Sequence, residues 1–196
     1  DVGSGKTIVA ALAALTAIEA GAQVAVMAPT EILAEQHYLK FKQWLEPLGL
    51  SVAWLSGSQR KKAKAQNKAA LSDGLIQIAV GTHALFQDDV QFQNLGLVIV
   101  DEQHRFGVAQ RLALKNKGAD VHQLMMSATP IPRTLAMSFF ADLDVSVIDE
   151  LPPGRTPIKT RLVNSVRRSE VEGLVLGACR KGQQAYWVCP LIEESE

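Results

Sequence analysis

The chain has 196 residues, 20 basic and 20 acidic side chains, a formal net charge of zero, 47% hydrophobic residues and two cysteines. Scaling of surface with mass leaves room for one good core, burying about 70% of the extended chain's surface, and for a second domain only if it is small. With 20% charged residues and no long like-charge block, the composition excludes a disordered chain and a tail that holds nucleic acid by bulk charge, so any anion binding must be local.

Cys179 and Cys189 show neither CxxC nor Cys/His spacing, which points away from zinc and from a disulfide framework and toward a reducing cytosol. The most apolar stretch, residues 8–18, is closed by Glu19 and Gly21, short of the roughly 18 or more residues a membrane span needs. No signal peptide is visible, because Asp1 opens directly into a motif.

That motif is Asp1-Val2-Gly3-Ser4-Gly5-Lys6-Thr7, a P-loop lacking only its leading glycine, followed by a helical stretch over residues 7–19. Gly3 and Gly5 let backbone N–H groups turn inward around a phosphate, with Ser4 between them. The helix start aims its positive end at that phosphate, Lys6 neutralises charge, and Thr7 offers its hydroxyl to Mg²⁺. The ordinary alternative is a Gly/Ser loop capping an Ala-rich helix.

A strand is predicted over residues 23–28, followed by Pro29-Thr30-Glu31 and a helix over 31–45. A strand over 51–55 and a helix over 58–71 come next, the helix carrying Arg60, Lys61, Lys62, Lys64 and Lys68. That basic run reads first as a solvated face and second as an accessory DNA contact. The next strand, residues 76–80, runs into Gly81-Thr82-His83. Both Pro29-Thr30-Glu31 and Gly81-Thr82-His83 put hydroxyls, N–H groups and a helix start at a strand end, which suits backbone phosphates of a nucleic acid, although Thr30 and Thr82 could simply be helix caps.

An apolar strand over 97–100 leads into Asp101-Glu102-Gln103-His104. Paired with a P-loop, Asp101 would hold Mg²⁺ and Glu102 would orient and deprotonate the water that attacks the γ-phosphate, with Gln103 and His104 sensing the phosphate. Without it, the acids would be a solvated turn capping a helix over 105–116. A strand over 123–126 ends in Ser127-Ala128-Thr129-Pro130, a helix covers 133–140, and a strand covers 145–148. Gly21, Gly49, Gly74 and Gly118 sit where helices must stop.

Nearly continuous apolar strands alternating with helices predict an α/β fold: a parallel sheet with helices on both faces and ligands at the carboxyl ends of the strands. Residues 151–157, LPPGRTP, can continue neither a helix nor a central strand and read as a linker between a first domain, 1–150, and the start of a second, 158–196, with strand 158–163, helix 169–180 and strand 185–189.

With these motifs the chain resembles superfamily 2 nucleic-acid helicases, most closely the bacterial RecG family of branched-DNA helicases. The resemblance rests on DVGSGKT at 1–7, APTEILAEQH at 28–37, GTHALF at 81–86, DEQHRFGVAQR at 101–111, SATPIPRT at 127–134 and DELPPGRTPI at 149–158. The motor of the transcription-repair coupling factors is similar but usually shows DEEH in the second motif.

The resemblance implies RecA-like P-loop NTPase domains, ATP and Mg²⁺ as cofactors, and a bacterial cytoplasmic, nucleoid-associated protein in DNA repair and recombination. It implies that Lys6 and Thr7 bind ATP phosphate and Mg²⁺, that Asp101 holds the metal and that Glu102 activates water. Pro29, Thr30, Glu31, Gly81, Thr82 and His83 would then face branched DNA such as stalled forks and Holliday junctions, while Gln103, His104, Ser127 and Thr129 couple the nucleotide state to DNA grip. The full-length protein is expected to act as a monomer. The strand that precedes a P-loop is missing from the sequence, so a gap in the sheet, a rearrangement, or self-association that borrows a strand from another copy is expected, with little or no hydrolysis and no unwinding by this stretch alone. A P-loop nucleotide switch with no motor action is the rival reading. A dinucleotide-binding Rossmann fold fails because Ile8 stands where its third glycine belongs.

Overall fold

The computed structural model describes residues 3–57, 59–102, 120–128, 144–148, 154, 156 and 158–189. The chain divides into two units, Asp1–Pro153 and Gly154–Glu196. In the first, helix α1 (Lys6–Glu19) is followed by β1 (Gln23–Met27), α2 (Glu31–Leu45), β2 (Val52–Leu55), α3 (Lys61–Ser72), β3 (Ile78–Gly81), β4 (Leu95–Asp101) and β5 (His122–Met126). Gly21, Gly49 and Gly74 all adopt positive φ, just beyond α1, the 3-10 turn that follows α2, and α3.

The five strands form one sheet in the order β2-β3-β1-β4-β5, and every neighbouring pair is parallel. Parallel strands need covered faces, and the residues alternate accordingly. On one face Ala10, Ala11 and Ala14 of α1 and Phe41 and Leu45 of α2 pack with Val24, Val26, Val80 and Ile99. On the other, Leu71 of α3 and Leu85 and Val90 of the following loop pack with Ala25, Met27, Leu55, Val98 and Val100. Small residues on α1 let its axis lie close to the sheet, which is why an Ala-rich run serves there.

The expected gap is not present among the described strands: β1 pairs on both sides, and β4 joins β1 to β5 without interruption. Within β3, Gly81 is required by packing, since a Cβ there would meet the Leu55 carbonyl oxygen at 2.0 Å.

Three expected strands do not form. Residues 144–148 hold no regular structure, with Val145 and Val147 exposed, and neither do residues 158–163 or 185–189, where Leu162, Tyr186 and Val188 are exposed. A strand is stabilised by a hydrogen-bonded neighbour, and none of these segments has a described one. In the second unit α4 (Arg168–Arg180) does form, tied by Arg167 to Glu170 and Arg168 to Glu172. The helices expected over 105–116 and 133–140, Gly118, and most of the linker 151–157 lie outside the described residues. No described helix is long and apolar enough to cross a membrane.

Candidate functional site

The strand register builds the site. Leu55, Gly81, Met27, Val100 and Met125 lie on one line across the sheet, at or beside the carboxyl ends of the five strands. The residues just beyond that line therefore share one edge: Pro29-Thr30-Glu31 after β1, Thr82-His83 after β3, Asp101-Glu102 at the end of β4, and Ser127 after β5.

The P-loop reaches the same edge by geometry. Helix α1 spans about 21 Å at 1.5 Å per residue, and its last turn connects through Gly21 to the start of β1 at the amino edge. Lying along the sheet on Ala10, Ala11 and Ala14, it brings Lys6 and Thr7 back to the carboxyl edge. Gly3 and Gly5 stand at φ 91° and 90°, left-handed backbone that a side chain would strain. Gly5 caps α1 without a side-chain oxygen, and the first turn holds no acidic residue, so no anion of its own opposes the helix's positive end. Gly3 and Gly5 are exposed, and Ser4, Lys6 and Thr7 are half-buried. These residues fit a phosphate chain with its divalent cation. A carboxylate, Asp101, stands on the same edge to complete the donor set.

Asp101 is tightly held. His37 Nε2–H donates to its Oδ2 at 2.7 Å, and the backbone N–H of Glu102 donates to its Oδ1 at 3.0 Å. Glu102 has φ 51°, the only non-glycine residue with positive φ among the described residues. A bulky side chain in that region costs of order 1–3 kcal/mol, and such strain clusters at functional sites.

The remaining residues divide. Thr30 caps α2 by accepting from the Leu33 N–H at 3.3 Å, while Glu31 and His83 are exposed. Thr82 does not cap the 3-10 turn His83–Phe86; its side chain is buried and its hydroxyl has no partner among the described residues. Ser127 is half-buried. Gln103, His104 and Thr129 lie outside the described residues. In the basic helix, Lys64 donates to Gln87 and Lys68 to Asp89. A cleft of about 730 Å³ lined by Tyr38, Trp54, Gln59 and Asn67 lies at the β2 edge and shares no lining residue with the P-loop or Asp101. Sequence reasoning gave His37 no role. Its signal was a polar residue on the otherwise apolar buried stripe Ala34, His37, Phe41, Leu45 of α2.

Comparison with known proteins supports the fold. The DEAD/DEAH box helicase family model matches residues 1–138. The whole chain aligns at 62% identity with ATP-dependent DNA helicase RecG of Escherichia coli O157:H7 and at 60% with that of Haemophilus influenzae, and it spans 29% of each. It aligns at 54% with the RecG of Thermotoga maritima, over 25% of that protein. A structure of RecG bound to a three-way DNA junction superposes with a TM-score of 0.84 at 51% identity, covering 98% of this chain and 26% of that one. A structure of S. cerevisiae dbp5, at 20% identity and a TM-score of 0.52 over 70% of this chain and 39% of that one, shares the fold.

Proposed function

The chain belongs to the DEAD/DEAH box helicase family, and from that membership we propose that it forms the first RecA-like motor domain, residues 1–150, and the start of the second, residues 158–196, of a bacterial ATP-dependent helicase that remodels branched DNA in repair and recombination. The observation that carries the reading is the single carboxyl edge on which a P-loop, an Asp-Glu pair and two hydroxyl-bearing turns meet. The chain spans less than a third of the RecG proteins it resembles, so stalled forks and Holliday junctions are proposed as substrates of the whole protein, acting as a monomer in the cytoplasm at the nucleoid.

In this reading Gly3, Ser4 and Gly5 wrap the β- and γ-phosphates with backbone N–H groups, and Lys6 neutralises charge as it moves to the leaving oxygen. Thr7 and Asp101 hold Mg²⁺, which when bound supplies charge stabilisation at the phosphates. Glu102 orients the attacking water and takes its proton. Pro29, Thr30, Glu31, Gly81, Thr82 and His83 grip the DNA strand, and Gln103, His104, Ser127 and Thr129 relay the nucleotide state to that grip.

The test is ATP turnover of a full-length protein carrying this chain, with and without three-way junction DNA. DNA is expected to raise turnover strongly. Lys6→Ala is expected to weaken ATP binding about 10- to 100-fold, the loss of a charge-assisted phosphate contact, and Glu102→Gln to bind ATP normally and stop hydrolysis. Turnover indifferent to DNA would instead mark a nucleotide switch.

A further inference from the structure

We propose that His37 is a positioning residue for the Asp101 carboxylate, and through it for the divalent cation; the proposal rests on the functional reading above. His37 sits in the middle of α2 on the stripe that faces the sheet and is 6% exposed, and its partner's side chain is 13% exposed. A core histidine needs only some acceptor for its N–H, and a nearby backbone carbonyl would serve. His37 instead reaches from α2 to the last residue of β4, on the strand beside the one that precedes its own helix.

The bond has a directional consequence. A carboxylate can only accept, so His37 Nε2 carries the proton in this contact and donates it to Oδ2. Oδ1 takes the Glu102 N–H. Each oxygen has two lone-pair directions, so among the described residues both are used once, which leaves one direction on each to accept from water or to meet a metal. Fixing both oxygens removes rotation of the carboxylate about χ2, the freedom that would otherwise be lost at every metal-binding event. Glu102 is held in the same act: its N–H is tied to Oδ1 and its backbone sits at left-handed φ, so loosening the carboxylate also loosens the residue proposed to activate water. Partners that orient a ligand in this way typically change metal affinity by 10- to 100-fold when removed.

The experiment measures Mn²⁺ binding to the full chain in the presence of ADP, by electron paramagnetic resonance, for the wild type, His37→Leu, His37→Gln and Lys6→Ala. Leucine keeps the volume and removes the donor; glutamine returns an N–H near the Nε2 position. Thermal melting accompanies each variant, and His37→Ala replaces the leucine variant if that one does not fold. The expected result is Mn²⁺ affinity at least about 10-fold weaker in His37→Leu and within about threefold of wild type in His37→Gln. Wild-type affinity in a folded His37→Leu chain, or equal losses in the leucine and glutamine variants, overturns the positioning role. If Lys6→Ala retains nucleotide-linked Mn²⁺ binding, the functional reading itself fails. If Lys6→Ala loses it while His37→Leu keeps it, only the role of His37 fails. A wild-type chain that binds no Mn²⁺ with ADP overturns both.

Discussion

The two edges of the sheet are built to opposite rules. At the amino edge, polar groups are bonded internally. The buried Gln23 side chain donates to the carbonyls of Leu71 and Ile76 at 2.9 and 2.7 Å and accepts from the Asn94 N–H at 2.9 Å. Asn94 in turn donates to the Gly21 carbonyl. At the carboxyl edge, Glu102 holds left-handed backbone although it is not glycine, and the buried Thr82 hydroxyl has no partner among the described residues. One edge joins three chain segments to the start of a single strand. The other tolerates strain and an unmet hydrogen bond, a cost that persists where groups are held in place for something the protein binds.

The contrast can be broken or sharpened by substitution. The largest effect is expected at the amino edge: Gln23→Leu leaves the Ile76 carbonyl and the Asn94 N–H without their Gln23 partner, while the Leu71 carbonyl keeps the Gly74 N–H, and at about 1–3 kcal/mol per buried group a loss of about 3 kcal/mol is expected from urea unfolding, with ATP binding unchanged. A loss below about 1 kcal/mol would mean that water replaces the amide and that the amino edge is not the anchor described.

At the carboxyl edge the sign reverses. Thr82→Val keeps shape and removes a buried hydroxyl that has no partner among the described residues, so a gain of about 1 kcal/mol is expected. If DNA stimulation of hydrolysis falls in the same variant, the hydroxyl serves the site; if the variant is destabilised, the hydroxyl has a structural partner and the contrast between the edges is weaker than drawn.

The smallest effect belongs to the loop that runs from one edge to the other. The Lys68 ammonium, hydrogen-bonded to Asp89, holds that carboxyl below its ordinary range. A lowered folded-state value means the contribution is present above the ordinary aspartate pKa and is lost as pH falls through the lowered one. Because Asp89 is exposed, Asp89→Asn is expected to leave the urea midpoint at neutral pH nearly unchanged and to flatten the acid limb slightly. A marked loss of stability at neutral pH would place this pair among the anchors instead.

What the sequence determined by itself was local. Continuous apolar runs between helical stretches specified the five strands of the sheet within a few residues, and the glycines of the loop proposed to hold phosphate, Gly3 and Gly5, took the positive φ their residue type permits, because backbone periodicity and φ preference act over a handful of residues. The same apolar content over 145–148, 158–163 and 185–189 did not make strands, because a strand exists only beside a partner, and partnership is a property of the whole chain. Strand order, the burial of Thr82, the left-handed turn of Glu102 and the bond from His37 to Asp101, residues 64 positions apart, were decided by the tertiary structure. Each depends on which segments the packed sheet brings side by side, and no local pattern encodes that.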